Sequence, residues 1–390
     1  MGVDNLLNFI KNATKQTNIT EAQLPNSTAA VDISHWIYKA SYACPEAMYH
    51  RNNMNQVYTT IINYIHNYVR MLRQHNVKLT FVFDGLKVPA KKVTHDERAS
   101  RKAEARRMVE KYLAEGNQQE ARKQMFRCVE VKFDIVQQII AYCKREHIDY
   151  IVSPYEADAQ LAFLNLNNIC DFVITEDTDL ILYGCRKIIY KLDLNGACVL
   201  FEISKLSSCL GTREEIDFQK FRRICIMSGC DYLKNIPTIG LQKAKRFFLM
   251  TKQDNLDTLL PKISTYLKAP SLKGKITQHY IDGFIKAELT FKHHIVYDPV
   301  HSKLRPLEPY PKGKSSSDFP MAGKRFHSTL AKEIVRGNID LDKLDYARDL
   351  DSASDASDLD NPDSDECEEI ATMNGGLPQI ASELAGVESS

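Results

Sequence analysis

The chain has 390 residues, of which 44% are hydrophobic and 26% charged, and its formal net charge is +1. This length fits one large or two medium domains plus a tail, with enough apolar residues for a buried core. No run approaches 18 consecutive apolar residues, so we expect no transmembrane helix, and the N-terminal segment lacks a signal-peptide pattern. The ten cysteines form no CxxC pair, which predicts reduced thiols in an intracellular protein and neither a disulfide framework nor a zinc site.

The charges are distributed unevenly along the chain. Residues 345–390 contain thirteen acidic residues and one basic residue, whereas residues 1–344 contain 50 Lys and Arg against 37 Asp and Glu. A basic body with an acidic tail is typical of a protein that binds a polyanion, although the same distribution also serves solubility. The tail is rich in Ser, Asp and Glu, and this composition predicts disorder.

The N-terminal part of the chain predicts a helix, a strand and a second helix. Residues 1–20 are expected to form a helix. An apolar strand over residues 28–31 then ends in Asp32, and residues 34–39 open the next helix. Residues 41–55 are polar, and we expect them to be irregular.

A second strand completes this first α/β unit. Apolar residues recur at helical spacing between Val57 and Leu72, and residues 78–83 form a strand that ends in Asp84. An acidic turn after a buried strand is common, so a single carboxylate of this kind is a weak signal.

Residues 87–132 differ from the rest of the chain. They contain thirteen basic and seven acidic residues, with few apolar ones in the first half. Helix-forming residues without an apolar face indicate a solvated helical segment or one that faces a ligand. Because the segment leaves directly from Asp84, a basic arch that contacts phosphate is at least as good an interpretation. Lys91 is only seven residues beyond Asp84, so both side chains could lie beside one bound phosphate.

Two further strands end in acidic residues. An amphipathic helix over residues 131–147 leads into a strand over 149–152, and another helix follows. An apolar strand over 172–174 comes next, and a hairpin over 186–201 with an Asn195-Gly196 turn closes this region. With the first two strands included, the carboxylates that follow strands are Asp32, Asp84, Glu156, Asp158, Glu176, Asp177 and Asp179.

Residues 217–250 predict two helices around a loop. The helices cover residues 218–228 and 241–250, and Pro and Gly interrupt the segment between them. Gly240 precedes the second helix and lets backbone N–H groups approach a phosphate, although an ordinary helical hairpin fits the same pattern. The loop also contains a further carboxylate, Asp231.

The carboxylates together predict a metal centre. In an open parallel sheet the carboxyl ends of the strands meet at one crevice, where ligands bind. Carboxylates gathered there repel one another unless a cation binds, and hard divalent cations prefer oxygen ligands. Two-metal phosphodiester hydrolysis uses a pair of such ions about 4 Å apart. Lys91 and Arg98 would neutralise the charge that builds on the scissile phosphate.

Several motifs are similar to those of the structure-specific 5′ nucleases related to flap endonuclease. The matching segments are AVD (30–32), FVFDG (81–85), PAKK (89–92), YEADAQLAFLN (155–165), ITEDTDLILYGC (174–185), IMSGCDYL (226–233) and YIDGFIKAELTF (280–291). The resemblance covers about residues 1–345. Within this family, IMSGCDYL and the YIDGFIKA segment resemble the eukaryotic exonuclease 1 group most.

The resemblance implies a fold and a set of site residues. The fold is a PIN-like α/β nuclease core, a mixed and mainly parallel sheet flanked by helices, with a helical arch and a C-terminal helix–two-turn–helix DNA-binding part. The implied ligands of two Mg²⁺ ions, for which Mn²⁺ can substitute, are Asp32, Asp84, Glu156, Asp158, Asp177, Asp179 and Asp231. The implied DNA-binding residues are Gly2, Tyr38, Lys91, Lys92, Arg98, Gly229 and Gly240, of which Lys91 and Arg98 are catalytic. The implied K⁺ site uses the backbone of Ser228, Asn235 and Ile239.

Two segments receive a more specific role from the resemblance, and one position departs from it. Tyr38 is implied to stack on the frayed 5′ nucleotide, and residues 41–55 are implied to form a wedge that bends the duplex. The family usually has Gly-Ile-Gly where this chain has Thr238-Ile239-Gly240. This difference affects the expected loop geometry and K⁺ affinity, and leaves the catalytic centre unchanged.

The implied function is a Mg²⁺-dependent 5′→3′ double-stranded DNA exonuclease with 5′-flap endonuclease activity. It implies roles in mismatch repair, end resection and recombination in the nucleus, and a monomer that binds DNA ends, nicks, gaps and flaps, mismatch-repair proteins and no membrane. A dedicated flap endonuclease or junction resolvase of the same family is one alternative. A catalytically inactive DNA-binding scaffold is the other, and the presence of all seven acidic positions and Lys91 argues against it.

The sequence divides into five predicted regions. They are an N-terminal nuclease region (1–99), the basic helical arch (87–132), an internal nuclease region (133–215), a helix–two-turn–helix and C-terminal helical region (216–344) and a disordered acidic tail (345–390).

Overall fold

A seven-stranded sheet organises the part of the chain that the structure, a computed structural model, describes: residues 2–210 and 217–344. Its strands are β1 (Thr14–Asn18), β2 (Thr28–Asp32), β3 (Lys78–Phe83), β4 (Asp149–Val152), β5 (Phe172–Ile174), β6 (Lys187–Tyr190) and β7 (Ala197–Glu202). They lie in the order β1-β7-β6-β5-β2-β3-β4. The strands from β6 to β4 run parallel, whereas β7 pairs antiparallel with both β6 and β1. The predicted mixed, mainly parallel sheet is confirmed.

Helices flank this sheet and build the C-terminal part of the fold. In chain order they are α1 (Leu6–Phe9), α2 (Ile33–Ser41), α3 (Pro45–His50), α4 (Met54–Gln74), α5 (Lys92–Ala114), α6 (Gln118–Cys128), α7 (Phe133–Glu146), α8 (Ala157–Leu166), α9 (Asp179–Leu182), α10 (Ser207–Leu210), α11 (Phe218–Ser228), α12 (Leu241–Leu249), α13 (Leu256–Leu259), α14 (Ile263–Tyr266), α15 (Gln278–His293) and α16 (Ser328–Val335). A separate antiparallel hairpin, β8 (Ile295–Asp298) and β9 (Lys303–Pro306), follows α15.

Side chains of the central strands contribute alternately to two buried cores. Ala30, Val82 and Val173 belong to the core that helices α8, α11 and α15 complete. Their chain neighbours Val31 and Phe81 belong to the other core, which contains the apolar faces of α2, α4 and α7. Strands that are buried on both faces have continuous apolar sequences. This is why these strands could be predicted from the sequence.

The strand register brings the carboxyl ends of the parallel strands to one edge of the sheet. Val31 pairs with Phe81 on one side and with Ile174 on the other, and Phe83 pairs with Val152. The acidic residues that follow these strands therefore meet at that edge, as the sequence predicts.

The basic segment folds into two long helices, α5 and α6, that pack against each other. Their shared contact is a small apolar cluster made of Ala105, Val109, Ala121, Met125 and Cys128. Only two residues of α5, Ala105 and Val109, are buried. Most of its basic side chains therefore face away from the two cores of the sheet.

The expected helix over residues 1–20 is wrong. The α-helix there is limited to Leu6–Phe9, and Thr14–Asn18 form β1 at the edge of the sheet, paired with β7. No apolar residue lies between Ala13 and Ile19, so a helix through this segment would have no side chain to bury. The strand forms because the free edge of β7 offers backbone hydrogen bonds.

Residues 41–55 are not irregular, because Pro45–His50 form helix α3. Pro45 stands in the first turn, where its fixed φ suits a helix and its missing N–H costs nothing. Met48 is buried beneath this short helix, which supplies the apolar contact that holds it on the domain.

The predicted acidic tail, residues 345–390, lies outside the described residues, as do residues 211–216, where one predicted boundary falls. In the described ranges no helix combines the length and apolar character needed to cross a membrane. The described cysteines are all free thiols.

We expect Gly85→Ala to lower the free energy of unfolding by about 3 kcal/mol. A Cβ on Gly85 would lie 1.8 Å from the backbone oxygen of Ser153, which cannot move aside because the Gly85 N–H donates to the Tyr155 carbonyl. Urea denaturation measures the loss. Gly240→Ala is the control, since nothing lies within 4 Å of a Cβ there, and it should cost at most about 1 kcal/mol. Equal losses in the two variants would contradict the steric argument.

Candidate catalytic centre

Seven acidic side chains form one cluster at the carboxyl edge of the sheet. The members of this carboxylate cluster are Asp32, Asp84, Glu156, Asp158, Asp177, Asp179 and Asp231. The charges of Asp84 and Asp177 act on Asp32, and the charges of Asp177 and Asp231 act on Asp179. Residues from four strand ends and from the loop after α11 are therefore brought together, although they are distant in sequence.

Lys91 is held by two members of the cluster. Its Nζ lies 2.8 Å from Glu156 Oε1 and 2.9 Å from Asp231 Oδ2, and the Arg98 guanidinium lies 2.9 Å from the same Asp231 oxygen. Burial lowers the pKa of Lys91, but the two carboxylates raise it by more, so the ammonium stays charged. Burial raises the pKa of Glu156 and of Asp231, but the neighbouring positive charges and hydrogen bonds, with Lys91 first among them, together lower both pKa values below the usual range.

Four other members, three of them buried and Asp158 partly buried, have no such cation beside them. Within residues 2–210 and 217–344, Asp32, Asp158, Asp177 and Asp179 make no side-chain ion pair. Burial and neighbouring carboxylates raise the pKa of Asp158 and Asp179 well above the ordinary value and that of Asp32 to about 7. Burial also raises the pKa of Asp177. Each of these groups would ionise more readily if positive charge were added to the cluster.

Hydrogen bonds after β5 hold two of these carboxylates, those of Asp32 and Asp177. The Thr175 hydroxyl donates to Asp32 Oδ2 (2.9 Å) and accepts from the Asp177 N–H (3.0 Å), and the Asp179 N–H donates to Asp177 Oδ1 (3.0 Å). Gly2 packs directly on this turn with a φ of +79°, and a Cβ there would lie 2.5 Å from Asp177 Oδ1. Thr175 was not predicted as a site residue, although it lies between strand β5 and the acidic residues in the sequence.

The start of α8 holds the carboxylate at the end of β3. Asp84 Oδ1 accepts from the Ala157 N–H (3.1 Å), and Asp84 Oδ2 accepts from the Ser34 hydroxyl (2.7 Å). Glu156 is the N-cap of the same helix, and Asp158 lies in its first turn. The N-terminus of a helix carries a partial positive charge, which stabilises anions placed there.

The donor set of the cluster suits a hard divalent cation. All its ligand atoms are carboxylate oxygens, the type that Mg²⁺ prefers. Asp179 Oδ1 is buried and finds no hydrogen-bond partner among the described atoms. No group of three or more His, Cys, Asp or Glu side chains in the described ranges is already arranged to hold a metal, and Lys91 lies between two of the predicted ligands. The ligand assignment therefore stays a prediction.

The predicted nucleotide-contacting residues outside the cluster are on the surface. Tyr38 on α2 is 36% exposed, and Lys92 is exposed at the first position of α5. Tyr42 lies one turn beyond Tyr38, is 49% exposed and contacts Phe126 of α6 edge-on at 5.9 Å. The exposed aromatic surface of α2 therefore extends towards the basic helices.

The loop between α11 and α12 is stabilised by its own polar groups. The Ser228 hydroxyl donates to the Cys225 carbonyl (2.8 Å), and the Asn235 side-chain amide donates to the Ile239 carbonyl (3.1 Å). Gly229 has a φ of +104°, and a Cβ there would lie 3.2 Å from Asn235. The Ile239 carbonyl, predicted to bind K⁺, thus accepts an internal hydrogen bond, and the K⁺ assignment stays a prediction.

Thr238 adopts the backbone conformation for which the family's glycine is suited. Its φ is +76°, in the left-handed region where a β-branched residue costs about 1–3 kcal/mol. Gly240 follows as the N-cap of α12, with open space around its Cα. The loop of this chain therefore has a non-glycine residue in a left-handed conformation at this position, and the strain is local to Thr238.

We expect Asp158→Asn to raise the free energy of unfolding in EDTA at neutral pH by about 1 kcal/mol. The pKa of Asp158 is raised in the folded state, so its ionised form opposes folding at neutral pH, and a neutral amide removes that repulsion. Asp231→Asn is the matched control and should lower the same quantity, since it leaves Lys91 and Arg98 without their shared carboxylate. Urea denaturation decides, and stabilisation by both variants or by neither would contradict the charge assignment.

Comparison with known protein families gives two matches along the chain. The XPG N-terminal domain matches residues 1–105, and the XPG I-region matches residues 147–231. These two ranges contain all seven members of the carboxylate cluster together with Lys91 and Arg98.

Two curated relatives carry the name exonuclease 1. The Drosophila melanogaster protein is 40% identical over 308 residues, which is 79% of this chain and 41% of that protein. The Xenopus laevis protein is 33% identical over 341 residues, which is 87% of this chain and 45% of that protein. The chain thus spans less than half the length of these relatives.

A solved structure supports the fold. The catalytic core of Rad2 in complex with a DNA substrate has a TM-score of 0.52 and 18% sequence identity, and the match covers 87% of this chain and 100% of that chain. This likeness agrees with the PIN-like architecture that the resemblance implies. The chain therefore contains two regions that match XPG nuclease domains, and it is similar to exonuclease 1 proteins over most of its length.

Proposed function

We propose that the chain is a Mg²⁺-dependent 5′→3′ double-stranded DNA exonuclease with 5′-flap endonuclease activity. The observation that carries the proposal is the carboxylate cluster at the base of the basic helices, four of whose members are buried, with Lys91 and Arg98 as its two cationic contacts. The likeness to exonuclease 1 proteins supports it. Hydrolysis of a phosphodiester needs positive charge at the reacting phosphate and a fixed position for that phosphate. The carboxylates would bind cations, and Lys91 and Arg98 would hold the phosphate.

The carboxylate cluster would hold two Mg²⁺ ions, for which Mn²⁺ can substitute. Bound divalent ions lower the pKa of an attacking water and stabilise the charge on the leaving oxygen. Thr175, Ser34 and the first turn of α8 hold the carboxylates in place. Lys91 and Arg98 direct positive charge at the same place, where a scissile phosphate approaches the cluster.

The remaining predicted residues would bind DNA. Tyr38 would stack on an unpaired 5′ nucleotide, and Lys92 with the other basic residues of α5 and α6 would contact phosphates. Gly2, Gly229 and Gly240 would let the backbone approach the strand, with K⁺ held by the backbone of Ser228, Asn235 and Ile239. Residues 41–55, which include α3, would form the wedge at a nick or end.

The cellular role follows from the same likeness. We place the protein in mismatch repair, end resection and recombination in the nucleus, as a monomer that acts on DNA ends, nicks, gaps and 5′ flaps. Mismatch-repair proteins are its proposed protein partners. Each of these assignments depends on the nuclease activity and is tested after it.

We expect a ladder of products from the 5′ side when wild type and Mg²⁺ act on a duplex labelled at one 5′ end or at one 3′ end. Asp177→Ala should reduce cleavage by about 100-fold or more, because it removes a carboxylate from the centre of the cluster. Glu146→Gln is the control, since Glu146 ends α7 at the opposite end of the strands and pairs with Arg73. Its ladder should match that of wild type.

Product length separates the alternatives. Successive short products from a recessed 5′ end support an exonuclease, whereas one cut at a flap base or junction would indicate a dedicated flap endonuclease or resolvase. Replacing Mg²⁺ by Ca²⁺ should preserve DNA binding and stop cutting. Tight binding by wild type without cleavage in Mg²⁺ would overturn the proposal in favour of a DNA-binding scaffold.

We expect Lys91→Met and Arg98→Met each to lower kcat by about 100- to 1,000-fold. Their side chains carry the positive charge nearest the cluster, and the loss falls on the chemical step, so DNA affinity in Ca²⁺ should change by much less. Lys144→Met is a charge-matched control, because Lys144 is exposed on α7. Single-turnover rates and fluorescence anisotropy with a flap substrate measure the two effects. An equal loss of rate and affinity would show that Lys91 and Arg98 only bind DNA.

A further inference from the structure

A chain of two tyrosine hydroxyl groups lies behind the carboxylate of Glu156. The Tyr232 hydroxyl is 2.5 Å from Glu156 Oε2, and the Tyr183 hydroxyl is 2.5 Å from that of Tyr232. Tyr183 is 2% exposed, and both rings pack edge-on against Phe291 of α15, with centroids 4.9 and 4.8 Å away. Neither tyrosine contributes an atom to the predicted metal ligands or to the predicted DNA-binding residues.

The direction of this hydrogen-bond chain follows from the chemistry of its end. The Glu156 carboxylate is paired with the Lys91 ammonium at 2.8 Å, and a carboxylate can only accept. Tyr232 must therefore donate its single hydrogen to Glu156 Oε2. Its oxygen is then left to accept, so Tyr183 must donate to Tyr232.

His294 is the other polar group near the same oxygen, and it cannot replace Tyr232. Its Nε2 lies 3.9 Å from Glu156 Oε2, beyond hydrogen-bond distance, and has no partner among the described atoms. Its Nδ1 lies 3.2 Å from the Ile295 carbonyl, which only accepts, so Nδ1 carries the hydrogen. Tyr232 is thus the donor that holds Oε2.

The two oxygens of Glu156 consequently have different surroundings. Oε2 is fixed from behind by Tyr232, whereas Oε1 faces the cluster and contacts Lys91 at 2.8 Å. Tyr232 directly follows Asp231 in the chain. The same short segment therefore provides both a carboxylate of the cluster and the hydroxyl that holds Glu156. Groups that orient a metal ligand in this way alter metal affinity by about 10- to 100-fold when they are removed.

We infer that Tyr232 and Tyr183 are positioning residues for the divalent-cation site: their two hydroxyls fix Glu156 so that Oε1 stays directed at the cluster. This inference rests on the proposed function, because it requires that Glu156 binds a cation. It adds two residues to the site that bear no charge and act only through Glu156. Tyr183, one step further away, has the smaller effect.

Titration of the intact chain with Ca²⁺ alone, by calorimetry and without DNA, tests the inference. Tyr232→Phe should weaken Ca²⁺ binding by about 10-fold, and Tyr183→Phe should weaken it by less. Tyr142→Phe is the matched control, because it removes a hydroxyl from a tyrosine that is 1% exposed and contacts His66 Nδ1 at 3.1 Å, away from the cluster. Its Ca²⁺ affinity should equal that of wild type. Thermal unfolding in EDTA shows how much of any change is a general loss of stability.

A double-mutant cycle with Glu156→Ala identifies the route of the effect. If Tyr232 acts through Glu156, Tyr232→Phe causes no further loss of Ca²⁺ affinity once the carboxylate is absent. Additive losses, or unchanged Ca²⁺ affinity in Tyr232→Phe, would overturn the inference. Should Tyr232→Phe fail to fold in EDTA, the same criteria apply to Tyr183→Phe.

The failure of this inference can be told apart from failure of the proposed function. Wild type that binds no Ca²⁺ contradicts the metal centre and the positioning role together. Wild type that binds Ca²⁺ and degrades DNA, with Tyr232→Phe equal to it in Ca²⁺ affinity, contradicts the positioning role alone.

Discussion

Repulsion between buried carboxylates is the constraint on which the rest of the structure depends. Parallel strands direct their carboxyl ends to one edge, and in this chain nearly every strand that arrives there is followed by Asp or Glu. Like charges at close range in a poorly solvated site oppose folding. The fold tolerates them because the strands behind them are buried on both faces and cannot move apart. Such repulsion lowers the stability of the folded state, and positive charge added to the site would reduce the repulsion.

The charge is offset unequally across the cluster, and this inequality divides the site into two parts. On one side, Lys91 and Arg98 neutralise Glu156 and Asp231, so that side keeps its geometry through ion pairs. On the other side, Asp32 and its neighbours have only hydroxyl and N–H donors, which orient a carboxylate without removing its charge. The unneutralised side is where added positive charge gains most free energy. Lys91 lies at the boundary between the two sides, in contact with Glu156 and Asp231.

The sequence predicted those features whose cause is local or repetitive. The central strands were found because Val31, Phe81 and Val173 belong to apolar runs, and the basic helices because their composition differs from that of every other segment. Strand β1 was missed because its five residues are polar and its pairing with β7 involves residues far along the chain. Tyr232 was noted only as part of the IMSGCDYL motif. Nothing in the sequence indicates that its hydroxyl would contact Glu156, because an uncharged side chain forms no recognisable charge pattern. Spacing from Asp84 likewise said nothing about which carboxylates Lys91 would contact.

Asp231 connects the carboxylate cluster to the two parts of the fold that would handle DNA. Its carboxylate holds Lys91 and Arg98 at the start of α5, and its backbone carbonyl accepts from the Thr94 hydroxyl at 2.7 Å. An ion pair between Glu97 and Lys234 joins the same two segments on the surface. A displacement of α5 would therefore alter the charge at Asp231, and a displacement of the loop after α11 would alter the position of Lys91. In this chain the same contacts of Asp231 therefore determine both the position of helix α5 and the charge environment of the carboxylate cluster.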